Sequence, residues 1–259
     1  MTPRVRLLAV AATVAATAVT LFAPALASAD SFPLAGWWPM NEGSGQVIRD
    51  WSGHGNNGQL GNSPGADSQD PSWIPGVFFG SALRFDGGDI VQIPDSPSLD
   101  PQAITVAAWF RGSASPGINR YVVAKGSVQC DRASYGMYTS STGGMAFYIS
   151  GATTWYRSPE APASVWDGRW HHAAGTFDGS TVRLFIDGKQ IGNGTPASTS
   201  IAYNPPNGGG LVGDFHGVDG GVACDLFLTG DVDGLQIWSR ALPVADIWRV
   251  LAALFSTSR

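Results

Sequence analysis

The sequence predicts an all-β protein, a jelly-roll β-sandwich with one short helix near its C-terminal end. Short runs of β-branched and aromatic residues recur along the chain, and glycine, proline, asparagine and aspartate separate them. Helical spacing of apolar residues appears only in the last segment. The 34 glycines and 17 prolines are scattered as turn residues rather than gathered into a linker. These observations favour a single large domain without internal repeats.

The predicted strands follow one another between Ser81 and Leu242. In chain order their sequences are SALRFDG, DIVQIP, ITVAAWFRG, YVVAKG, YGMYTS, MAFYIS, WHHAAGTF, TVRLFIDG, LVGD and VDGLQIWSRAL. The segment from Pro243 to Phe255 instead spaces its apolar residues at three and four positions, as an amphipathic helix requires. These residues are Val244, Ile247, Val250, Leu251 and Leu254. We expect a short helix that caps the sandwich.

The stretch WHHAAGTFDGSTVRLFIDGKQIG, which begins at Trp170, predicts a three-stranded meander with two adjacent histidines in its first strand. Aspartate-glycine pairs at 178–179 and 187–188 separate the apolar runs, and such pairs favour tight hairpin turns because these turns need positive φ. Successive side chains of a strand point to opposite faces. His171 and His172 therefore cannot share one ligand, and we expect one of them inside or bonded to a neighbouring strand.

Residues 1–29 have the features of a secretory signal peptide. Arg4 and Arg6 precede a long apolar run, and the small residues 27–29 supply a cleavage pattern. The alternative is a membrane anchor, since the run is long enough to be considered, but its threonines and its proline favour a signal. The predicted domain therefore comprises residues 30–259, and the predicted location is extracellular.

The charge balance excludes one class of partner. The chain has 15 lysines and arginines against 20 aspartates and glutamates, which gives a formal net charge of −5. Nucleic-acid binding needs a basic stripe that neutralises phosphates, and no such stripe is present. After the signal no second apolar segment of spanning length follows, so we expect neither nucleic acid nor a membrane as a partner.

The two cysteines, Cys130 and Cys224, predict one disulfide. In an exported chain such a pair closes a long loop and stabilises the fold by roughly 3–5 kcal/mol in the chain-entropy model. A catalytic or metal-bound pair is the alternative, but neither cysteine belongs to a CxxC or similar cluster.

Four stretches together resemble the laminin G-like domains of the concanavalin A-like lectin/glucanase superfamily. The meander after Trp170 resembles the central hairpin of that family, with its tryptophan, histidine and two DG turns. Residues 36–58 resemble its opening strand and loop, residues 82–110 its next strands, and residues 230–247 its closing strand and helix. The resemblance implies a concanavalin A-like jelly roll. It leaves the function open, because this fold carries lectins, adhesion modules, hydrolases and lyases.

A calcium site is the first chemical expectation. The loop DWSGHGNNG offers the carboxylate of Asp50, the amide of Asn56 and the carbonyls of a glycine-rich turn, and calcium prefers six to eight oxygen ligands. The resemblance implies that Asp233 of the closing strand completes a structural ion with Asp50 and Asn56. The alternative is that Asp50 and the asparagines only cap the turn.

A sugar-binding surface is the second expectation. The candidate ligand-binding residues are Trp155, Tyr156, Arg157, Tyr203, His216 and Asp219. Trp155 and Tyr156 lie in the polar stretch GATTWYRSPEAPAS, predicted to be a loop, where aromatic rings are less easily buried. His216 and Asp219 lie in a segment rich in aspartate and histidine, for which turn formation is the alternative. For the aromatic residues the alternative to sugar binding is that their loops fold over the sandwich and the rings pack against it.

The predicted function is that of a secreted, lectin-like module that binds an extracellular carbohydrate or glycan. The chain lacks a recognised catalytic pattern: its glutamates, Glu42 and Glu160, form no E-x-D-x-E arrangement, although Asp231 and Asp233 have the spacing of paired carboxylates. One alternative is a glycoside hydrolase or a polysaccharide lyase on the same fold, the lyase using a tyrosine or histidine base. The other is an adhesion module that binds a protein.

Overall fold

The structure is a computed structural model that describes residues 34–77, 80–126, 133–203, 210–215, 218–219, 222–224 and 226–256. The chain divides into two units, residues 1–31 and 32–259. The first unit lies outside the described residues, so the signal peptide stays a prediction. No helix in the described ranges is long and apolar enough to span a membrane.

The described part of the second unit consists of short strands, two 3₁₀ turns and one α-helix. Within the described ranges the strands are β1 Leu34–Trp38, β2 Val47–Ile48, β3 Gly58–Leu60, β4 Ser72–Pro75, β5 Ser81–Asp86, β6 Val91–Ile93, β7 Ile104–Arg111, β8 Tyr121–Lys125, β9 Tyr135–Thr139, β10 Met145–Ser150, β11 Trp155–Arg157, β12 His171–Phe177, β13 Thr181–Ile186, β14 Lys189–Gln190, β15 Thr195–Pro196, β16 Gly210–Val212, β17 Val218–Asp219, β18 Val222–Ala223 and β19 Thr229–Trp238. Helix α1 is Val244–Ser256. The 3₁₀ turns are Pro97–Leu99 and Ala163–Val165.

Two antiparallel sheets form the sandwich. In sheet 1 the order is β14-β13-β12-β7-β19-β5-β4, with β1 also pairing with β19 and β15 with β13. In sheet 2 the order is β11-β10-β9-β8-β16-β6-β3-β2, and β17 and β18 form a separate pair. The centre of sheet 1 joins β5, β7 and β19, which are far apart in sequence. Such crossovers bring distant side chains to one sheet face.

The core lies between the sheets and follows the two-residue alternation of their strands. Val182 and Leu184 of β13 belong to the main buried cluster, whereas Phe185 belongs to a second cluster on the opposite face. Gly175 of β12 faces Phe147 of β10 so closely that a Cβ atom there would lie 2.1 Å from Cγ of the ring. The glycine thus makes room for a fully buried phenylalanine of the other sheet.

Helix α1 covers part of the outer face of sheet 1. Ile247 is buried against Trp238 and Phe185 in the second cluster. Trp248 is half exposed, and its ring lies over Gly188, where a Cβ would meet it at 2.6 Å. Ile247 and Val250 thus pack on the sheet as the spacing of the helix predicts, whereas Val244, also predicted for the apolar stripe, is 47% exposed.

An aromatic cluster lies on the outer face of sheet 2. Tyr121 stacks on Tyr138 at a centroid distance of 5.1 Å and on Phe215 at 4.9 Å, and Tyr148 lies edge-on to both tyrosines. All four side chains are buried. The outer face of sheet 2 thus carries a buried aromatic cluster, and this cluster supports the exposed ring of Trp155.

The all-β class, the sandwich, the meander and the C-terminal helix are confirmed. The turn residues Asp187 and Gly188 have φ of 50° and 73°, as the predicted DG hairpin requires. The prediction that the polar stretch around Trp155 is a loop is wrong in part, because the stretch contains an edge strand. Residues 155–157 pair with β10 and so acquire strand alternation.

Candidate functional site

The adjacent histidines point to opposite faces of β12 and share no ligand. His172 is 2% exposed and lies edge-on to Trp109 at a centroid distance of 5.3 Å. His171 is held by two carboxylates: Nδ1 lies 2.7 Å from Asp187 Oδ2 and Nε2 lies 3.1 Å from Asp167 Oδ1. Both nitrogens of His171 are engaged, so this imidazole ties a loop to a turn and leaves no nitrogen for a ligand.

The pair of carboxylates makes the contribution of His171 to stability dependent on pH. Burial lowers the pKa of His171, but the hydrogen bonds that its ring donates to Asp187 and Asp167 outweigh this effect, and the pKa is raised. A raised pKa means that the stabilisation is fully present below the unfolded value of about 6.5 and is lost as pH rises through the folded value. We expect His171→Gln to destabilise the protein by about 1–2 kcal/mol at acidic pH and by less at alkaline pH.

Urea unfolding of wild type and His171→Gln at mildly acidic and alkaline pH measures this difference. His54→Gln is the matched control, because that exposed ring contacts the carbonyl of Leu34 rather than a carboxylate. A destabilisation that is the same at both pH values contradicts the assignment.

Asp50 organises the loop in which the calcium site is predicted. Its Oδ1 accepts hydrogen bonds from the backbone N–H groups of Trp37 at 3.0 Å and Ser52 at 2.9 Å, and its Oδ2 accepts one from Asn56 at 2.9 Å. Partial burial raises the pKa of Asp50, but hydrogen bonds with the Ser52 side chain and with these backbone donors outweigh it, and the pKa is lowered. The carboxylate is therefore an ionised anchor for backbone donors.

Asn56 is buried and turns its amide inward. Its Nδ2 donates to the carbonyl of Ala35 at 3.2 Å and to Ser98 Oγ at 2.9 Å. The backbone carbonyl of Asn56 accepts a hydrogen bond from Trp38 Nε1 at 2.7 Å. These bonds fix the side-chain nitrogen toward the protein interior.

Asp233 lies on the outer face of sheet 1, opposite Trp109 in the pairing of β19 with β7. Its side chain is 5% exposed, and Oδ2 accepts a hydrogen bond from the N–H of Val77 at 2.9 Å. Burial raises the pKa of Asp233 to about 7, although the N–H groups of Val77 and Gly234 lower it. It is thus a buried carboxyl group with hydrogen-bond donors but no cation among its described neighbours.

The structure therefore brings together two of the three predicted calcium ligands. Asn56 donates to Asp50, whereas the hydrogen bonds of Asp233 within the described residues go elsewhere. In those same residues no group of three or more histidine, cysteine, aspartate or glutamate side chains could hold a metal ion. The donors around Asp50 suit an anion-anchored turn, and the calcium ion stays a prediction.

Two of the predicted sugar-binding residues share an exposed face of sheet 2. Trp155 and Arg157 are alternate residues of edge strand β11, so their side chains point the same way. Trp155 is 46% exposed, and its ring lies edge-on to Tyr148 at a centroid distance of 6.1 Å. Arg157 Nη1 donates to Ser140 Oγ. We refer to Trp155 and Arg157 as the edge platform.

Tyr156 and Tyr203 do not join this platform, which corrects their grouping with Trp155. Tyr156 lies between the two platform residues and so points to the core face, where it packs against the main cluster. Tyr203 also packs against that cluster, and its hydroxyl donates to the carbonyl of Pro101 at 2.6 Å. For Tyr156 the physical reason is strand alternation, which is not visible when the stretch is read as a loop.

The remaining predicted residues fall largely outside the described part of the chain. His216 and Cys130 lie outside it, and the side chain of Asp219 in β17 is not described. Cys224 packs against the tyrosine cluster on the outer face of sheet 2. The disulfide and the contributions of His216 and Asp219 to ligand binding stay predictions.

A cleft that the sequence did not reveal lies where β5, β7 and β19 meet. Its volume is about 580 Å³, within the range of small-molecule sites. Its charged and hydroxyl lining residues are Arg84, Asp86, Arg111, Ser113, Ser115, Thr229 and Asp231. Asp231 is 6% exposed and binds both arginines, with Oδ1 at 2.8 Å from Arg84 Nε and Oδ2 at 2.7 Å from Arg111 Nε. We call this the arginine cleft.

Only part of the arginine cleft carried a signal in the sequence. Asp231 was noted for its alternate spacing with Asp233, but both of its oxygens are bound by guanidinium groups, so it is not a free catalytic carboxylate. Its partner Arg84 is 147 residues away along the chain. Only the sheet order β5-β19-β7 brings Arg84, Asp231 and Arg111 together.

Comparison with solved structures identifies the class of fold. Domain 4 of AbnA, a GH43 extracellular arabinanase from Geobacillus stearothermophilus, in complex with arabinotriose, matches with a TM-score of 0.61 and 17% identity over 84% of this chain and 97% of that one. The binding domain of botulinum neurotoxin DC in complex with rat synaptotagmin II matches with a TM-score of 0.61 and 11% identity over 87% and 52%. The botulinum neurotoxin serotype D ligand binding domain in complex with N-acetylneuraminic acid gives 0.61 and 11% over 86% and 52%.

These likenesses define a concanavalin A-like sandwich, and this chain spans about half of each toxin domain. A family model, Laminin_G_3 of the concanavalin A-like lectin/glucanases superfamily, matches residues 85–248. The chain belongs to this family, as the resemblance of its motifs predicts. No curated protein matches it.

Proposed function

We propose that the protein is a secreted carbohydrate-binding module of the laminin G-like family and that the glycan lies on the edge platform. The exposure of Trp155 carries this proposal. Nearly half of its side chain is open to solvent at the edge of sheet 2, although tryptophan is usually well buried. An exposed indole beside hydrogen-bond donors is suited to a ligand with an apolar face and polar edges.

The support beneath Trp155 favours binding. Its ring rests edge-on against Tyr148, and Tyr148 lies edge-on to Tyr121 and Tyr138 in the buried cluster. A ring held in this way loses little conformational entropy when a ligand stacks on it. Arg157, two residues further along the same face, offers planar N–H donors to sugar hydroxyl groups.

Two structural neighbours support a glycan as the partner, because domain 4 of AbnA is in complex with arabinotriose and a toxin binding domain with N-acetylneuraminic acid. A third is in complex with a protein, synaptotagmin II, which keeps protein binding as the alternative. We also propose export through the signal at residues 1–29 and a disulfide between Cys130 and Cys224. A structural calcium ion at Asp50, Asn56 and Asp233 completes the proposal.

We expect Trp155→Ala to weaken retention on an insoluble polysaccharide at least about tenfold, because truncating a central interface tryptophan costs 2 kcal/mol or more. The measurement is a depletion isotherm on plant, algal and microbial polysaccharides, with soluble sugar assayed in the same supernatant. Trp51→Ala is the matched control, because Trp51 is 59% exposed and its ring also lies edge-on to a neighbour, Trp37.

Each outcome bears on the proposal. Loss of retention in Trp155→Ala alone supports the edge platform, whereas equal retention by both variants rejects it. Reducing ends or unsaturated sugars in the supernatant favour the hydrolase or lyase alternative. A wild-type protein that no polysaccharide retains, but that a protein ligand captures, favours the adhesion alternative.

A further inference from the structure

The arginine cleft has the features of a binding site separate from the edge platform. It opens at the ends of β5 and β7 in sheet 1, whereas Trp155 lies on edge strand β11 of sheet 2. Its volume of about 580 Å³ suits a small ring rather than a long polymer segment.

The hydrogen bonds at the base of the cleft leave donors available. Arg84 uses Nε and Nη2 on Asp231, and Arg111 uses the same two nitrogens on the same carboxylate. Each guanidinium has five N–H donors. Within the described residues, Nη1 of neither arginine donates to an acceptor. Both oxygens of Asp231 are already occupied, so an incoming acceptor would meet N–H groups.

The two guanidinium groups are held in place before any ligand arrives. Arg111 lies over the ring of Trp170, 4.6 Å from its centroid, as well as on Asp231. Beside it, Gly112 leaves room for Trp166, whose ring a Cβ would meet at 2.9 Å. Arg111, fixed by the ring and the buried carboxylate, and Arg84, held by two hydrogen bonds to that carboxylate, lose little freedom on binding.

The charges select among anions. Two guanidinium groups share the single buried carboxylate of Asp231, which leaves one positive charge at the base. Asp86 lines the cleft as well, is exposed, and accepts a hydrogen bond from the N–H of Gly88. A ligand with one negative charge balances the two arginines and Asp231 at the base. With Asp86 included, the charges of the lining sum to zero, so a second negative charge on the ligand would be unbalanced.

We propose that the arginine cleft binds a sugar acid through its single carboxylate. The carboxylate oxygens accept hydrogen bonds from Nη1 of Arg84 and Arg111. Hydroxyl groups of the ring donate to Asp86 and exchange hydrogen bonds with Thr229 and Ser115 at the wall of the cleft. This inference rests on the proposed function in one respect: glycan binding is the reason to expect that the carboxylate is carried by a sugar.

The combination of groups favours a sugar acid over other anions. Phosphate and sulfate carry more charge than the base balances and bring few donors for Asp86. An acidic peptide offers carboxylates too, but only its side-chain ends fit a cavity of this volume. A uronic acid supplies one carboxylate and several hydroxyl donors on one rigid ring.

Calorimetric titration of the purified protein with D-galacturonate and D-glucuronate tests the proposal. We expect binding of at least one uronate, at least about tenfold weaker binding of its methyl ester and of D-galactose, and weakening as ionic strength rises. Arg84→Gln is expected to weaken uronate binding about tenfold, because a charge-assisted hydrogen bond is lost. Arg111 still binds Asp231 in that variant, so the fold is retained.

Two further variants separate the cleft from general effects. Ala114→Trp fills the cleft from an exposed loop position without touching an ion pair and should abolish binding. Arg49→Gln removes the same charge from an exposed site elsewhere and should leave binding unchanged. Thermal melting of each variant checks folding.

Several results would overturn the inference. With the variants, the overturning result is uronate binding that survives Arg84→Gln and Ala114→Trp. With other ligands, it is equal binding of the methyl ester, of acetate or of a glutamate-rich peptide, or tighter binding of phosphate or sulfate. Failure of both uronates to bind overturns it as well. Trp155→Ala keeps the two proposals distinguishable. Uronate binding by this variant tests only the arginine cleft, whereas its retention on polysaccharide tests only the edge platform.

Discussion

Replacing Gly175 with alanine is expected to destabilise the sandwich by about 1–3 kcal/mol, the usual effect of inserting a methyl group into a packed core. The new Cβ would lie 2.1 Å from Cγ, 2.3 Å from Cδ2 and 2.5 Å from Cβ of Phe147. Real Cβ contacts are never this short, so the ring or the strand must move. Phe147 is fully buried between the sheets, so a movement of its ring must displace its core neighbours.

The double-mutant cycle with Phe147→Ala makes the prediction specific. That substitution alone should cost about 3–5 kcal/mol, because it removes a buried ring and leaves a cavity. The double variant Gly175→Ala with Phe147→Ala should cost clearly less than the sum, since the added methyl group then occupies vacated space. Urea unfolding of the four proteins gives the coupling free energy.

Gly65→Ala supplies the matched control. No atom lies within 4 Å of a Cβ built on Gly65, and its φ is not in the left-handed region, so its free energy of unfolding should barely change. An additive cycle, or a Gly175→Ala variant as stable as Gly65→Ala, would contradict the close approach of β12 and β10.

Local features of the sequence were sufficient to predict most of the fold. The DG turn at 187–188 specifies its hairpin through positive φ at both residues, whereas the turn at 178–179 has positive φ at Gly179 and is held by the Asp178 side chain, which accepts hydrogen bonds from Ser180 and Thr181. Alternation within β12 separates His171 from His172. Strands of two to four residues, such as β2 Val47–Ile48, are too short for a hydrophobic pattern to appear. They depend on pairing with neighbours that only the folded chain provides.

The site was less predictable because it depends on crossovers. Trp155 could be chosen from its polar surroundings, but the inward direction of Tyr156 follows from its pairing with Ile149 in β10. The arginine cleft depends on the meeting of Arg84 and Asp231, whose separation along the chain leaves no local pattern. Binding residues on different strands therefore require the sheet order before they can be grouped.

Asp233 is expected to make the protein less stable as pH rises. Burial raises its pKa to about 7 from an ordinary value of 3.8. Between these values the folded state holds a proton that the unfolded state has released, so stability falls by up to 1.36 kcal/mol for each pH unit. Over about three units the loss reaches about 4 kcal/mol, and it is complete above pH 7 or so.

Asp233→Asn isolates this effect. The amide oxygen can still accept the hydrogen bond from Val77 but never ionises. In the presence of a chelator, the variant should therefore be as stable as wild type near pH 4 and more stable by up to about 4 kcal/mol near pH 8. Burial also raises the pKa of Asp89 to about 6 and lowers that of His172 to about 4, so only the difference between the two proteins is interpreted.

The same pair of proteins tests the proposed calcium ion. A cation bound to Asp233 stabilises its ionised form, so added calcium should raise the melting temperature of wild type most at alkaline pH. Asp233→Asn should lose this response, and Asp50→Asn should lose it too if one ion joins both carboxylates. If wild-type melting curves with calcium and with chelator coincide while Asp233→Asn is more stable at alkaline pH, Asp233 is a buried carboxyl group without an ion. The stabilisation of the loop by Asp50 then comes from its hydrogen bonds with the Ser52 side chain and with the backbone N–H groups of Trp37, Ser52 and Asn56.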